Sequence, residues 1–144
     1  MLSKNRRQLV ERLKTRKGRP REGLVLVEGV RSSAEVLAAG ANIRFVIRSP
    51  RLLDTEAGRA VASTLVARGP EIDDVADADL AELSDTEHPQ GVLLVCGEPG
   101  LDLAQLSAHA PSTLLLLDGL QDPGNLGTLV RAARALGVGA VIVL

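Results

Sequence analysis

An α/β chain in two parts, a first domain of sheet and helices followed by the opening of a second, is what the sequence predicts. Three observations carry this. Short β-branched or leucine-rich runs alternate with helical segments along the chain. Gly and Pro punctuate the junctions. Composition shifts across residues 99–112, after which the most apolar run of the chain begins.

Segment 3–17 sets Leu9, Val10 and Leu13 at helical spacing among Lys and Arg, so it reads as an amphipathic helix with a cationic polar face. Lys17-Gly18-Arg19-Pro20-Arg21 interrupts it. Leu24-Val25-Leu26-Val27 is a buried strand stopped by Glu28-Gly29. Residues 31–39 form a helix with Ala34, Val36 and Leu37 apolar and Gly40 as its C-cap. A strand at 43–47, a helix at 55–68, a short strand at 72–75, a turn or two of helix at 78–83 and a strong strand at 91–96 follow. That rhythm predicts a mostly parallel sheet clad in helices over residues 1–98.

Residues 99–112 read as a linker with a short helix inside it. Residues 113–144 make one βαβ unit: an apolar strand, a Gly- and Pro-rich loop at 119–124, a helix from about 126 to 136 and a strand at 140–144. Two strands and one helix cannot cover both faces of their sheet, so a domain incomplete at Leu144 is expected.

Composition excludes several functions. Phe45 is the single aromatic residue, so no sheet face can stack splayed bases as RRM-like or OB-like domains do. Cys96 is the single cysteine and lies in an apolar run, so it belongs to the core; no disulfide, zinc cluster or other metal site is expected. The N-terminus lacks the apolar stretch of a signal peptide, and no segment approaches the roughly 20 apolar residues of a membrane span. A cytoplasmic location with no membrane partner follows.

The formal net charge of −1 hides an asymmetry. Residues 1–23 hold nine Lys and Arg against Glu11 and Glu22, a net +7, so the remainder carries −8. Clustered cations suit a nucleic-acid contact, because neutralised phosphates release counterions. Arg16, Lys17, Arg19 and Arg21 form the densest group.

The chemistry points to the loop Asp118-Gly119-Leu120-Gln121-Asp122-Pro123-Gly124-Asn125-Leu126-Gly127-Thr128 and to Arg131. A strand feeding through such a loop into a helix sets backbone N–H groups and the positive helix end at the carboxyl edge of a sheet, where ligands collect in α/β folds. Asn125 suits the N-cap. Leu126, Leu129, Val130, Ala133 and Leu136 fall on one stripe toward the sheet, with Arg131 nearly opposite and Gly127 one turn before it. Arg134 sits nearer the stripe's edge, its stem covering apolar surface. Neither a dinucleotide fingerprint nor a P-loop occurs, which excludes an ordinary nucleotide-binding α/β protein.

This loop with Arg131 resembles the first motif of the SpoU/TrmH class of RNA 2′-O-ribose methyltransferases, of the knotted SPOUT superfamily. Earlier in the chain, Arg16-Lys17-Gly18-Arg19, Leu26-Val27-Glu28-Gly29-Val30-Arg31 and Leu83-Ser84-Asp85-Thr86-Glu87-His88-Pro89-Gln90-Gly91-Val92 are similar to the L30e-like substrate-binding domain that precedes that catalytic domain.

The resemblance implies an L30e-like domain at 1–98, a linker at 99–112 and the start of a SPOUT methyltransferase domain at 113–144, with the knot absent. It implies methyl transfer from S-adenosylmethionine to a ribose 2′-hydroxyl of ribosomal RNA, transfer RNA being the alternative. Asn125 and Arg131 then take catalytic roles, and Arg16, Lys17, Arg19, Arg21 and Arg31 bind RNA. The second and third motifs, which build the knot and the cofactor pocket, are expected beyond residue 144. No cofactor-binding residue is therefore assigned, and the 144 residues alone are expected to be inactive. A homodimer is implied for the complete enzyme. The competing reading is a non-catalytic RNA-binding module of the L30e-like type. His88 reads as part of a tight turn that leads into a strand, and His109 has no evident partner.

Overall fold

Ser3 opens the first helix, its side-chain oxygen accepting from the backbone N–H of Arg6 at 3.3 Å. Helix α1 then runs Lys4–Lys14 and buries Val10 and Leu13. The computed structural model describes residues 2–15, 19–98 and 113–144. Arg16, Lys17 and the helix expected within 99–112 lie outside the described residues. A short helix α2 (Arg19–Glu22) leads to strand β1 (Leu24–Glu28), helix α3 (Val30–Ala38) and strand β2 (Ile43–Arg48). A 3-10 turn (Pro50–Asp54), helix α4 (Glu56–Arg68), strand β3 (Ile72–Asp74), helix α5 (Asp77–Leu83) and strand β4 (Val92–Gly97) complete the first unit. The chain divides into two compact units, Met1–Pro99 and Gly100–Leu144.

The four strands form one sheet in the order β1-β4-β2-β3. Strand β4 is antiparallel to β1, with Leu26 opposite Val95, and antiparallel to β2, with Val46 opposite Leu94. Only β2 and β3 pair in parallel. The expected mostly parallel sheet is thus corrected to a mixed one. The helices do carry the chain between co-directional strands, but β4 slots between β1 and β2 running the other way. A strand buried on both faces is apolar throughout whichever direction it runs, so its sequence is silent on direction.

Successive side chains of β4 alternate between two cores, as the strand period of two requires. Val92, Leu94 and Cys96 join Leu37, Val46, Val61 and Leu65 under α3 and α4. Leu93 and Val95 join Val10, Leu13, Phe45, Ile47, Leu80 and Leu83 under α1 and α5. Cys96 is buried there, and burial pushes its thiol pKa up.

Gly91 leads into β4 with φ +78°, and a Cβ placed on it would lie 2.3 Å from the backbone nitrogen of Leu52. Its carbonyl accepts from Ser49 N at 3.0 Å, so the close approach is held by a hydrogen bond. Gly91→Ala combines a disfavoured backbone conformation with a clash against main chain. A loss of about 2–4 kcal/mol in urea unfolding is expected.

The second unit is strand β5 (Leu114–Leu117), helix α6 (Pro123–Ala135) and strand β6 (Ala140–Val143), the strands parallel with Leu115 opposite Val141. Ala133 and Leu117 are buried, whereas Leu129 and Val130 are exposed and Leu136 is 83% exposed. The expected apolar stripe therefore meets the sheet through only part of its length. Two strands offer too little surface to cover it, and Leu114 and Leu116 also stand exposed.

Candidate functional site

Helix α6 begins earlier than its apolar period suggests. Asp122 is the N-cap, its Oδ1 accepting from Gly124 N at 2.6 Å and Asn125 N at 3.2 Å, with Pro123 in the first turn. Asn125 is corrected from N-cap to an exposed position inside the first turn. The physical signal is Asp followed by Pro: the carboxylate caps free N–H groups, and Pro tolerates the first helical position because its missing donor is not needed.

Arg131 is exposed, and its guanidinium folds back along the helix toward the loop. It donates to Thr128 Oγ1 at 3.3 Å, and that hydroxyl donates to the Gly124 carbonyl at 2.9 Å. A Cβ at Gly127 would lie 3.1 Å from Arg131 Nη1, so the bare glycine lets the guanidinium lie flat there. No carboxylate among the described residues forms an ion pair with Arg131. Asn125 and Arg131 are six residues apart, about 120° around the helix, and do not touch. Arg134 is exposed.

A second group of residues meets where β1 ends and α3 begins. The Glu28 carboxylate accepts from the Ser84 hydroxyl, from Thr86 Oγ1 at 2.6 Å and from Asp85 N at 3.1 Å. Burial pushes its pKa up, but the bonds from Ser84, Thr86 and the Asp85 and Thr86 backbone outweigh that and hold it below the ordinary value. Gln90 Oε1 accepts from Val30 N at 2.7 Å and so caps α3, whose N-cap residue, Gly29 (φ +90°), has no side chain to do it. The two separate stretches around Glu28 and around Gln90 are thus one hydrogen-bonded assembly. Beside it lies a groove of about 520 Å³ lined by Arg31, Ser32, Glu87 and His88 among others. Arg31 is 85% exposed, with Glu35 at 3.5 Å one turn along, a pairing worth little at such exposure. Sequence reasoning missed Glu28 and Gln90 as connectors, because the partners of a hydrogen bond sixty residues away leave no local signature.

A low Glu28 pKa has a consequence with a definite sign. The stability it contributes is present above its unfolded value near 4.5 and is lost as pH falls through its lower folded value. Asp74, held down first by its bond from Arg48, adds to the same acid limb. Glu28→Gln is therefore expected to shallow, without abolishing, the fall of Tm below about pH 4.5. An unchanged acid limb contradicts this.

The cationic head is corrected in part. On α1, Arg6 is bonded to Glu71 and to Asp73 (2.6 Å) and lies over the Phe45 ring at 4.6 Å. Arg7 pairs with Glu82 at 2.8 Å, Arg12 with Glu22 at 2.8 Å, and Lys14 with Glu11 and Asp85 at 3.1 and 3.5 Å. Arg6, Arg7 and Lys14 are therefore met by acids of the −8 remainder, whereas Arg12 is met by Glu22, which already counts within the +7. Arg21 is exposed, and it forms no ion pair among the described residues. Arg19 sits in α2.

Residues 5–94 match the family model of the MRM3-like substrate-binding domain. The chain belongs to that family. This MRM3-like domain and the unit after it are 31% identical to human mitochondrial rRNA methyltransferase 3, over 90% of this chain and 31% of that protein. Identity to the 23S rRNA (guanosine(2553)-2′-O)-methyltransferase RlmP of Bacillus subtilis is 29%, over 92% of this chain and 48% of that one. The solved SpoU methyltransferase AviRb of Streptomyces viridochromogenes, in complex with the cofactor AdoMet, matches with a TM-score of 0.70 and 27% identity, over 94% of this chain and 49% of its own. The mixed α/β fold is thus that of SpoU-class methyltransferase structures, and the chain spans about a third to a half of the length of these relatives. No helix among the described residues is long and apolar enough to cross a membrane.

Proposed function

We infer that this chain is the RNA-holding part and first catalytic segment of an S-adenosylmethionine-dependent 2′-O-ribose methyltransferase acting on ribosomal RNA. One observation carries the reading. The similarity to rRNA methyltransferases covers 92% of the chain in RlmP, so it runs through the MRM3-like domain and on into the unit that presents Arg131.

A ribose hydroxyl is a very weak acid, so its oxygen becomes a nucleophile only if the developing negative charge is met. An arginine side chain stays protonated and is a poor general base. Arg131 instead holds an RNA phosphate and stabilises the alkoxide as it forms, while the hydroxyl proton leaves to solvent. Asn125 lies in the first turn of the same helix, where its side chain is free to orient the substrate. Arg16, Lys17, Arg19 and Arg21 grip phosphates, and Arg31 adds a contact at the groove beside α3. S-adenosylmethionine supplies the methyl group. Residues 113–144 include no aromatic ring to stack its adenine, and no side chain of this chain is assigned to it. The SpoU resemblance adds a homodimer, with transfer RNA as the alternative substrate, and the cytoplasmic location is carried by the N-terminal sequence instead.

The test uses a protein carrying this sequence together with the length of its relatives that it does not span. With labelled S-adenosylmethionine and a ribosomal RNA transcript, label is expected on a ribose 2′-oxygen, which makes the adjoining phosphodiester resistant to alkali. Label on a base, or none, contradicts the reading.

A further inference from the structure

Glu28 presents a physical puzzle, since a carboxylate beside the groove at α3 should repel the phosphates that Arg31 is proposed to meet. Its oxygens are, however, committed to Ser84, Asp85 and Thr86. At the other end of the same loop, Gln90 is fastened to Val30 N. The loop 84–90 is thereby tied at both ends to the junction of β1 and α3. Between the ties stand Glu87 and His88, and Arg31 and Ser32 line the same groove.

We propose that Glu28 and Gln90 are positioning residues for RNA capture, tying loop 84–90 to the start of α3 so that Arg31 and His88 line one groove for an RNA phosphate. The inference rests on the RNA-binding reading above. Arg31 stands at the second position of α3, and among the described residues its ion pair is with Glu35, at 3.5 Å. A weak exposed pair of this kind does not fix a long side chain. Arg31 is left 85% exposed, and loop 84–90, placed by Glu28 and Gln90, lines the same groove, so the ties set where a phosphate beside that guanidinium meets the loop.

Sign separates the two roles that Glu28 could play. If it acted only as a negative charge near RNA, Glu28→Gln would tighten binding. If it positions the loop, the same change weakens binding, because an amide cannot accept from two hydroxyls and an N–H while its own NH2 faces them.

The test measures anisotropy of a fluorescein-labelled RNA hairpin with the whole 144-residue chain across a salt series. Wild type, Glu28→Gln, Arg31→Ala and the double variant form a cycle. Glu28→Gln is expected to weaken binding about fivefold and to lower the salt slope by about 0.7–0.9, the share of one phosphate contact. In the Arg31→Ala background the same change is expected to have almost no further effect, which a general loss of structure would not reproduce. Tighter or unchanged binding by Glu28→Gln overturns the proposal, as does an equal loss in both backgrounds. A wild-type chain that does not bind the hairpin overturns the RNA reading beneath it, an outcome distinct from the other two. Should Glu28→Gln fail to fold, Thr86→Ala removes one donor at an exposed position and decides the question in the same cycle.

Discussion

Replacing Arg131 by alanine is expected to cut methyl transfer by on the order of 10²–10³-fold, the effect of removing one preorganised group that meets developing negative charge. The assay needs the protein that carries this sequence with the remaining length of its relatives. Little else should change. Arg131 is exposed, its described partner is the Thr128 hydroxyl at 3.3 Å, and no ion pair among the described residues depends on it. Surface changes of this kind move stability by about 0.5 kcal/mol at most. Arg131→Lys should rescue poorly, because a point charge on a flexible stem does not reproduce a planar fork on a phosphate. Near-normal transfer by the alanine variant, measured as labelled 2′-O-methyl nucleoside, removes the assignment.

Reversing Arg16, Lys17, Arg19 and Arg21 to glutamate should have the largest effect on RNA binding itself. Four lost phosphate contacts lower the salt slope of binding by about 3, and affinity at low salt falls on the order of a hundredfold. The loss should be uniform across RNA sequences, because phosphate contacts carry no base information. The cations of α1 supply the control. Arg6, Arg7, Arg12 and Lys14 are engaged with Glu71, Asp73, Glu82, Glu22, Glu11 and Asp85, so changing them should disturb the fold more than the slope. Equal slopes for wild type and the reversed variant, by fluorescence anisotropy, contradict the grip assigned to residues 16–21.

Much of the first unit was legible because its punctuation is local. Ser3, Gly69 and Ser49-Pro50 sit at element ends, and the predicted elements from 24 to 97 lie within about two residues of the observed ones, whereas α1 ends at Lys14, short of the expected 17, and α2 forms at Arg19–Glu22 where a break is expected. The sheet's direction was not legible. Strand β4 reads as a continuous apolar run, and nothing in Val92-Leu93-Leu94-Val95-Cys96 says whether its neighbours run with it or against it. The start of α6 was legible in principle, since Asp122-Pro123 is a stronger opening than Asn125, but the apolar period begins only at Leu126 and drew the boundary with it. Arg131 beside Gly127 follows from helical spacing, and the structure puts the guanidinium there. The charge count misled for a different reason. A sum over residues 1–23 cannot tell cations facing solvent from cations facing their own acidic body, and Arg6 over Phe45 is of the second kind.

Hydrogen exchange of the 144-residue chain with and without an RNA hairpin tests most directly whether one polypeptide offers RNA both a basic grip and the Arg131 loop. Slowed exchange is expected in three stretches: residues 16–22, the start of α3 with loop 84–90, and the first two turns of α6. Protection confined to other surfaces, or absent from the Arg131 helix at saturating RNA, contradicts it.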